Sequence, residues 1–413
     1  MIRNITIIVD SIDRNEGSGA KANIAFIESL AASGYKLTVY HYTRKNILLP
    51  NVTCITIPEK KWSLLFVFSR IQRILARWTS ININPLIENM FGFSLTYFND
   101  VKSIRKHLQS INASDADLII TLSQGASFRP HYALLKLPQL HTKWLAYVHD
   151  PYPFHYYPRP YNWVERGHRQ KEAFFQEVSE KARYSGFPSL LLREWMGSYF
   201  PQFITTGLII PHQLGLPVET FAALPDYFNK KAFSVLHAGN LMKQRNPSGL
   251  IVGFQLFLKR NPTASEHAQL LLIGPADYHQ QTIHSFKLST PSLLFINENV
   301  PFDTVMEMQK QASANVILES QAEISPFLPG KFPHCVMADK PIISLAPYYS
   351  ETKRLLGDDY PYWSEQQDSE KIATILDRLY GQWKKNAGML TLNRPDLANY
   401  LSHTYLRQTI DTL

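Results

Sequence analysis

The 413-residue sequence predicts an α/β protein made of two Rossmann-like, doubly wound parallel-sheet domains facing a cleft. Three observations carry that expectation. Residues 2–41 run strand, loop, helix, strand; a second series with the same rhythm starts near residue 233; and between them residues 212–230 form a loop-like stretch broken by Pro217 and Pro225. A chain of this length with 45% hydrophobic residues is long for one domain and can bury two cores.

Taken in order, "IRNITIIVD" reads as a strand and "SIDRNEGSG" as a turn-rich loop. "AKANIAFIESLAASG" has the apolar spacing of a helix ending at Gly34, and "YKLTVYHY" is a second strand. One βαβ unit implies a parallel sheet. Further strands are expected at "VTCITIP", "DLIITLS" and "KWLAYVHD". The second series starts with strand "FSVLHAG" and helix "PSGLIVGFQLFLKR", followed by strand "AQLLLIG" and a helix near "HQQTIHSFK". Strand "SLLFINE", helix "FDTVMEMQKQA", strand "NVILES", a loop and short helix, and strand "PIISLA" complete it. The domains are therefore expected at 1–212 and 213–393, with a helix over about 394–413 packing back onto the first.

Charge and cysteine content narrow the class. A net charge of +8 suits either a phosphate-rich partner, an anionic membrane surface or an ordinary mildly basic enzyme. The basic residues are dispersed, without zinc-finger spacing or an RNA-binding aromatic motif, so nucleic acid is not expected. Two distant cysteines, Cys54 and Cys335, fit no disulfide framework or structural zinc and point to a reducing, cytoplasmic compartment. The first apolar run is short and followed by Asp10, as in a buried strand and unlike a signal peptide; no stretch approaches the roughly eighteen apolar residues of a membrane span.

In parallel sheets ligands gather at the carboxyl ends of strands. In "FSVLHAGNLMKQRNPSGL", Gly239 ends a strand, the loop carries Lys243 and Arg245, and Pro247 opens a helix; Arg245 either clamps a diphosphate or is a solvated surface arginine. In "SPFLPGKFPHC", Pro329 and Gly330 tighten a turn, so the N–H groups of Gly330, Lys331 and Phe332 can point at an anion with the Lys331 ammonium behind them. "EGSGAKANIAF" places Gly17, Ser18 and Gly19 between strand and helix, which allows close approach of a ligand to the backbone but lacks the third glycine of a dinucleotide fingerprint. "WLAYVHDPYPFHYYPRP" puts His149 and Asp150 at a strand end. The histidine can hydrogen-bond a substrate hydroxyl, act as acid or base, or simply satisfy a loop carbonyl. Tyr152 and the aromatics after it form either an acceptor platform or a packed loop. Asp115, Ala116 and Asp117 make a DxD at the amino end of a strand, read as a solvated entry, so no metal is expected. Residues 60–78, "KKWSLLFVFSRIQRILARW", interleave apolar and basic residues and suit either an anionic membrane surface or ordinary domain packing.

With these motifs in order, the chain resembles over nearly its full length the retaining glycosyltransferases of the GT-B fold, particularly glycosyltransferase family 4. The glycine loop, "YVHD", "HAGNLMKQRNP" and "NVILESQAEISPFLPGKFPHCVMADKPIIS" carry the resemblance. It implies a nucleotide-sugar donor, UDP- or GDP-linked, on residues 213–393, and an acceptor side on residues 1–212 near Gly17, Ser18, Gly19, Asp150 and Tyr152. Arg245 would hold the diphosphate with Gly239 and Asn240, the latter standing where the family usually has an arginine. The base would lie at Asn299 and Val300, with Ser325, Phe327, Leu328, Gly330, Lys331 and His334 along the donor segment. His149 would contact the transferred sugar. The family's two glutamates, eight positions apart, align with Pro326 and His334, and Glu323 would supply the missing carboxylate. The implied reaction is a retaining, metal-independent transfer to a carbohydrate or lipid-linked acceptor in bacterial surface polysaccharide or glycoconjugate synthesis, with no cofactor, in the cytoplasm or peripheral on the inner membrane face. A GT-B sugar-nucleotide epimerase and a nucleotide-sugar-binding module without activity are the alternatives.

Overall fold

A computed structural model describes residues 3–112, 114–214 and 222–413. The chain divides into two compact units: the first is Met1–Tyr157, Tyr161–Leu216 and Ser402–Leu413, and the second is Pro158–Pro160 and Pro217–Leu401. Part of the expected linker, 215–221, lies outside the described residues.

The first unit is built on seven parallel strands: β1 (Asn4–Val9), β2 (Lys36–His41), β3 (Thr53–Thr56), β4 (Leu118–Leu122), β5 (Trp144–Tyr147), β6 (Tyr184–Phe187) and β7 (Gly207–Ile209). Their order is β3-β2-β1-β4-β5-β6-β7. Central β1 and β4 are almost wholly buried and read as continuous apolar runs, whereas β2 alternates, as expected nearer an edge. Successive residues feed opposite faces: Ile5, Ile7 and Val9 join one core, Ile8 the other. The helices of this unit are α1 (Ser18–Ala32), α2 (Leu64–Thr79), α3 (Asn84–Phe91), α4 (Leu95–Leu108), α5 (Arg129–Leu135), α6 (His168–Lys181), α7 (Leu190–Tyr199) and α8 (Gln202–Thr206). Helix α1 stops where the sequence places its stop, since Gly34 takes a φ of 89°, which costs other residues strain.

In the second unit, β8 (Phe233–Ala238), β9 (Ala268–Ile273), β10 (Leu293–Ile296), β11 (Ala314–Leu318), the two-residue β12 (Ile324–Ser325), β13 (Ile342–Leu345), β14 (Tyr349–Ser350) and β15 (Trp363–Ser364) supply the strands. Six of them form a sheet in the order β10-β9-β8-β11-β13-β15, and β12 pairs with β14 separately. Its helices are α9 (Ser248–Arg260), α10 (Gln280–Ser289), α11 (Phe302–Gln311), α12 (Phe332–Met337), α13 (Glu351–Leu356), α14 (Ser369–Lys385) and α15 (Pro395–Tyr400). The final helix, α16 (His403–Asp411), belongs to the first unit: Leu406 and Ile410 enter its core, and Tyr35 donates to Asp411 Oδ1 at 2.7 Å. The expected return at residue 394 therefore starts later. Arg394 is tied to the carbonyls of Leu355 and Leu356, which keeps α15 in the second unit.

Candidate functional site

On the second unit the cluster grows from two glycines. Gly239 and Gly274 follow β8 and β9 with φ of 144° and 124°, and a Cβ on Gly274 would lie 2.6 Å from the Gly239 carbonyl oxygen. The Lys331 ammonium fills the space over Gly239, 2.7 Å from where a Cβ would stand. Lys331 is part-covered as a residue, but its charged end lies deep. Burial, with Arg245 nearby, lowers its pKa to about 7. The loop after Gly239 is fixed by Leu241 N donating to Pro275 O, Arg245 N to Met242 O, and Ser248 N to Asn246 Oδ1. Pro247 then leads into α9, and Arg245 Nε is left buried without a hydrogen-bond partner.

Beneath this pair lie two groups that sequence reading did not single out. His237 is buried, and burial with the two cations holds it neutral. Glu319, just past β11, is buried and accepts from the Ser325 hydroxyl at Oε2; burial raises its pKa to about 7 against the pull of Ser325 and Arg245. A carboxylate ending an apolar strand was the available signal for it. Glu323, expected to supply the carboxylate, is exposed, so the buried acid near Arg245 is Glu319.

The donor segment differs from expectation in one bond. Phe332 N donates to Pro329 O at 2.8 Å, so this N–H closes the turn and does not face an anion. Ser325 and Leu328 are buried, Phe327 is half-buried and Gly330 exposed. His334 packs edge-on against Phe302 at 5.0 Å. Cys335 is buried and its thiol pKa is pushed up to about 12, which removes it as a nucleophile. Asn240 is exposed beside Gly239. Asn299 and Val300 border a cavity of 440 Å³ with Pro225, Asp226, Tyr227 and Thr304.

On the first unit, Gly17 (φ 94°) precedes α1, Ser18 is exposed, and a Cβ on Gly19 would meet Gln124 at 3.1 Å. His149 is buried, its backbone N donates to Ser123 Oγ at 3.0 Å, and its Nε2 meets Asn23 Oδ1 at 2.7 Å. Asn23 in turn donates through Nδ2 to Ser123 O, so Oδ1 is the acceptor and His149 carries its proton on Nε2, leaving Nδ1 as an acceptor. Burial, with His212 and His131 nearby, pushes the ring pKa well below its ordinary value. A ring so held is neutral, which weighs against acid–base work near pH 7 and for a hydroxyl contact. Asn23, unremarkable in sequence, orients it. Asp150 is half-buried beyond this strand end.

Tyr152 corrects an expectation. It is 1% exposed and packs on Phe128, Phe174 and Phe175, so it is core and no acceptor platform. The DxD is a strand entry, with Asp117 Oδ2 accepting from Asn4 N at 2.9 Å. Among the described residues no group of three or more His, Cys, Asp or Glu side chains could hold a metal ion, and no helix is long and apolar enough to cross a membrane.

No family model and no curated protein matches the chain. Solved structures do. The trehalose-6-phosphate synthase OtsA aligns with a TM-score of 0.62 at 10% identity, covering 99% of this chain and 98% of that one. A UDP-forming α,α-trehalose-phosphate synthase from Burkholderia xenovorans gives 0.60 at 11%, covering 100% and 98%. Anabaena Alr3699/HepE in complex with UDP and glucose gives 0.58 at 12%, covering 99% and 98%. At such identities the likeness speaks for architecture, and with two parallel-sheet units the fold of this chain is that of the GT-B glycosyltransferases.

Proposed function

We propose that the protein is a glycosyltransferase that moves a sugar from a nucleotide diphosphate donor to a carbohydrate or lipid-linked acceptor. The observation that carries the reading is the Lys331 ammonium over Gly239 at the carboxyl end of β8, with Arg245 near enough to act on its charge. Two cations forced together, one with its Nε unpartnered and the other with its charge penalised, are stabilised by an anion that brings more than one negative charge. A diphosphate meets that need. Because the Anabaena protein of the same fold holds UDP, a UDP-sugar is the first donor class to test and a GDP-sugar the second.

In this reading Arg245 and Lys331 stabilise the charge that grows on the leaving diphosphate, the preorganised electrostatics that often dominate catalysis. Glu319 keeps the site cationic by standing near its protonation midpoint, and it positions Ser325 and the donor segment. Neutral His149 accepts a hydrogen bond from a sugar hydroxyl at Nδ1. Asn299, Val300 and His334 contact the nucleoside, with His334 in place of a carboxylate on the ribose. The transfer proceeds with retention and without a metal, as in family 4, and serves surface polysaccharide or glycoconjugate synthesis. Two free cysteines suit a cytoplasmic enzyme.

The test is a panel of UDP- and GDP-sugars incubated with the intact protein, with and without sugar and lipid-linked acceptors, while nucleotide release is measured. Release that depends on acceptor supports transfer. Isomerised sugar or free nucleotide without acceptor points to an epimerase, and tight binding with no turnover for any donor points to a module that only binds.

A further inference from the structure

The densest run of exposed large apolar side chains among the described residues lies in the first unit, between residues 62 and 91. Of twenty-four exposed large hydrophobic side chains among the described residues, thirteen fall within residues 62–91: Trp62 just ahead of α2, and the rest on α2, α3 and the turn between them. Helix α2 is inverted relative to an ordinary amphipathic helix. The side chains it buries are Ser69 and Gln72, while Leu64, Phe68, Ile71, Leu75 and Trp78 are between 46% and 86% exposed. Their spacing of three and four places them in one stripe. Polar ties hold the other side to α4: Ser63 donates to Asn99 Oδ1, and Arg73 donates to Thr96 Oγ1 at 3.4 Å.

Charge decides what covers the stripe. Between Glu59 and Glu88 there is no acidic residue, whereas Lys60, Lys61, Arg70, Arg73 and Arg77 all fall there. None of the five makes an ion pair with a described residue. Arg70 and Arg77 follow one edge of the apolar stripe, where their stems can lie on apolar surface with the guanidinium groups outside it, while Arg73 is turned toward α4. Trp62, just ahead of the helix, and Trp78, in its last turn, are 94% and 86% exposed, and tryptophan favours the boundary between lipid and water. At sixteen residues α2 is about 24 Å long, short of the roughly 30 Å hydrocarbon core, so it would lie in the plane of a bilayer.

We infer that α2 and α3 form a docking surface for an anionic lipid bilayer, with Leu64, Phe68, Ile71, Leu75 and Trp78 inserted below the headgroups and Arg70 and Arg77 among them. Its test contains no sugar nucleotide, so its outcome is independent of the transfer reading.

The experiment is flotation of the intact protein with phosphatidylcholine vesicles, pure or with roughly one-third phosphatidylglycerol, at low and high salt. Binding to the anionic vesicles is expected to exceed that to neutral ones at least tenfold and to fall at least tenfold at high salt, with roughly fivefold lost per cation in Arg70→Gln and Arg77→Gln. The triple variant Phe68→Asp, Ile71→Asp, Leu75→Asp should lose about 100-fold or more while circular dichroism is unchanged, since these side chains support no core. Brominated lipid should quench wild-type tryptophan emission and quench Trp62→Phe, Trp78→Phe markedly less, which keeps the test alive if the triple variant misfolds. Equal, negligible flotation with both vesicle types at low salt would overturn the inference. So would a solution dimer that the triple variant converts to monomer, because a second copy of the chain would then be the occupant.

Discussion

The strand ends of the two units carry different chemistry on sheets of the same parallel kind. In the second unit, Gly239 and Gly274 bring backbone close together under Lys331 and Arg245, with His237 and Glu319 buried beneath. In the first, a glycine-bordered helix start leads to Asn23 and His149, a neutral hydrogen-bonded pair. Unpaired positive charge suits a diphosphate; a neutral, oriented imidazole suits a hydroxyl. In the proposed reading the difference divides the work of one fold between charge binding and hydroxyl binding.

That division can be broken by substitution. Arg245→Ala and Lys331→Ala should each weaken UDP binding at least tenfold, about 1.4 kcal/mol, measured by calorimetry. Asn23→Ala should leave UDP affinity within about twofold and act on acceptor-dependent turnover. If Asn23→Ala weakens UDP as much as Arg245→Ala does, the division fails. Gly239→Ala tests the close approach itself. The new Cβ would collide with the Lys331 ammonium and sit at an unfavourable φ, so UDP affinity should fall about fivefold, near 1 kcal/mol.

Acidity sharpens the comparison further. With its pKa lowered to about 7, Lys331 is largely neutral above that pH in the free protein, and a bound diphosphate favours its charged form. Binding should then take up a proton and be strongest at or below pH 7, weakening severalfold as pH rises from about 7 to 9. His237 and Cys335 face the same lysine but stay neutral over this range, which leaves Glu319 as the other titrating group. Glu319 acts in the same direction, since its negative charge appears above about pH 7 and opposes the diphosphate. Lys331→Met should flatten most of the profile. Glu319→Gln, which can still accept from Ser325, should have the smallest effect: about twofold tighter UDP binding at pH 8 and no change at pH 6. Weaker binding at both would show that Glu319 is needed as a carboxylate.

Strand and helix positions were legible because burial writes itself into local pattern. The all-apolar β1 and β4, the alternating β2 and the stop at Gly34 follow from residues near in sequence. Arg245 and Lys331 were legible for a similar reason, each lying in a loop after a strand. What sequence could not supply was which distant groups meet them. That Lys331 would fold over Gly239, 92 positions away, and that Glu319 and not Glu323 would be the buried acid, depends on how β8 and β11 pair. Tyr152 misled because a tyrosine in a proline-broken aromatic run can equally face outward or complete a core, and only packing decides. The same holds for residues 60–78: their interleaved apolar and basic residues suit a membrane surface or domain packing alike, and that the polar side turns inward is settled by Ser63 finding Asn99 on α4.

The central claim is that the second unit grips a diphosphate through Arg245 and Lys331, and the most direct measurement compares UDP with uridine by titration calorimetry on the intact protein and on the Arg245→Ala, Lys331→Ala double variant. The account predicts that wild type binds UDP at least 100-fold tighter than uridine, about 2.7 kcal/mol, and that the double variant binds the two within about threefold of each other. Equal affinity of wild type for UDP and uridine, or a full preference for UDP retained by the double variant, would contradict it.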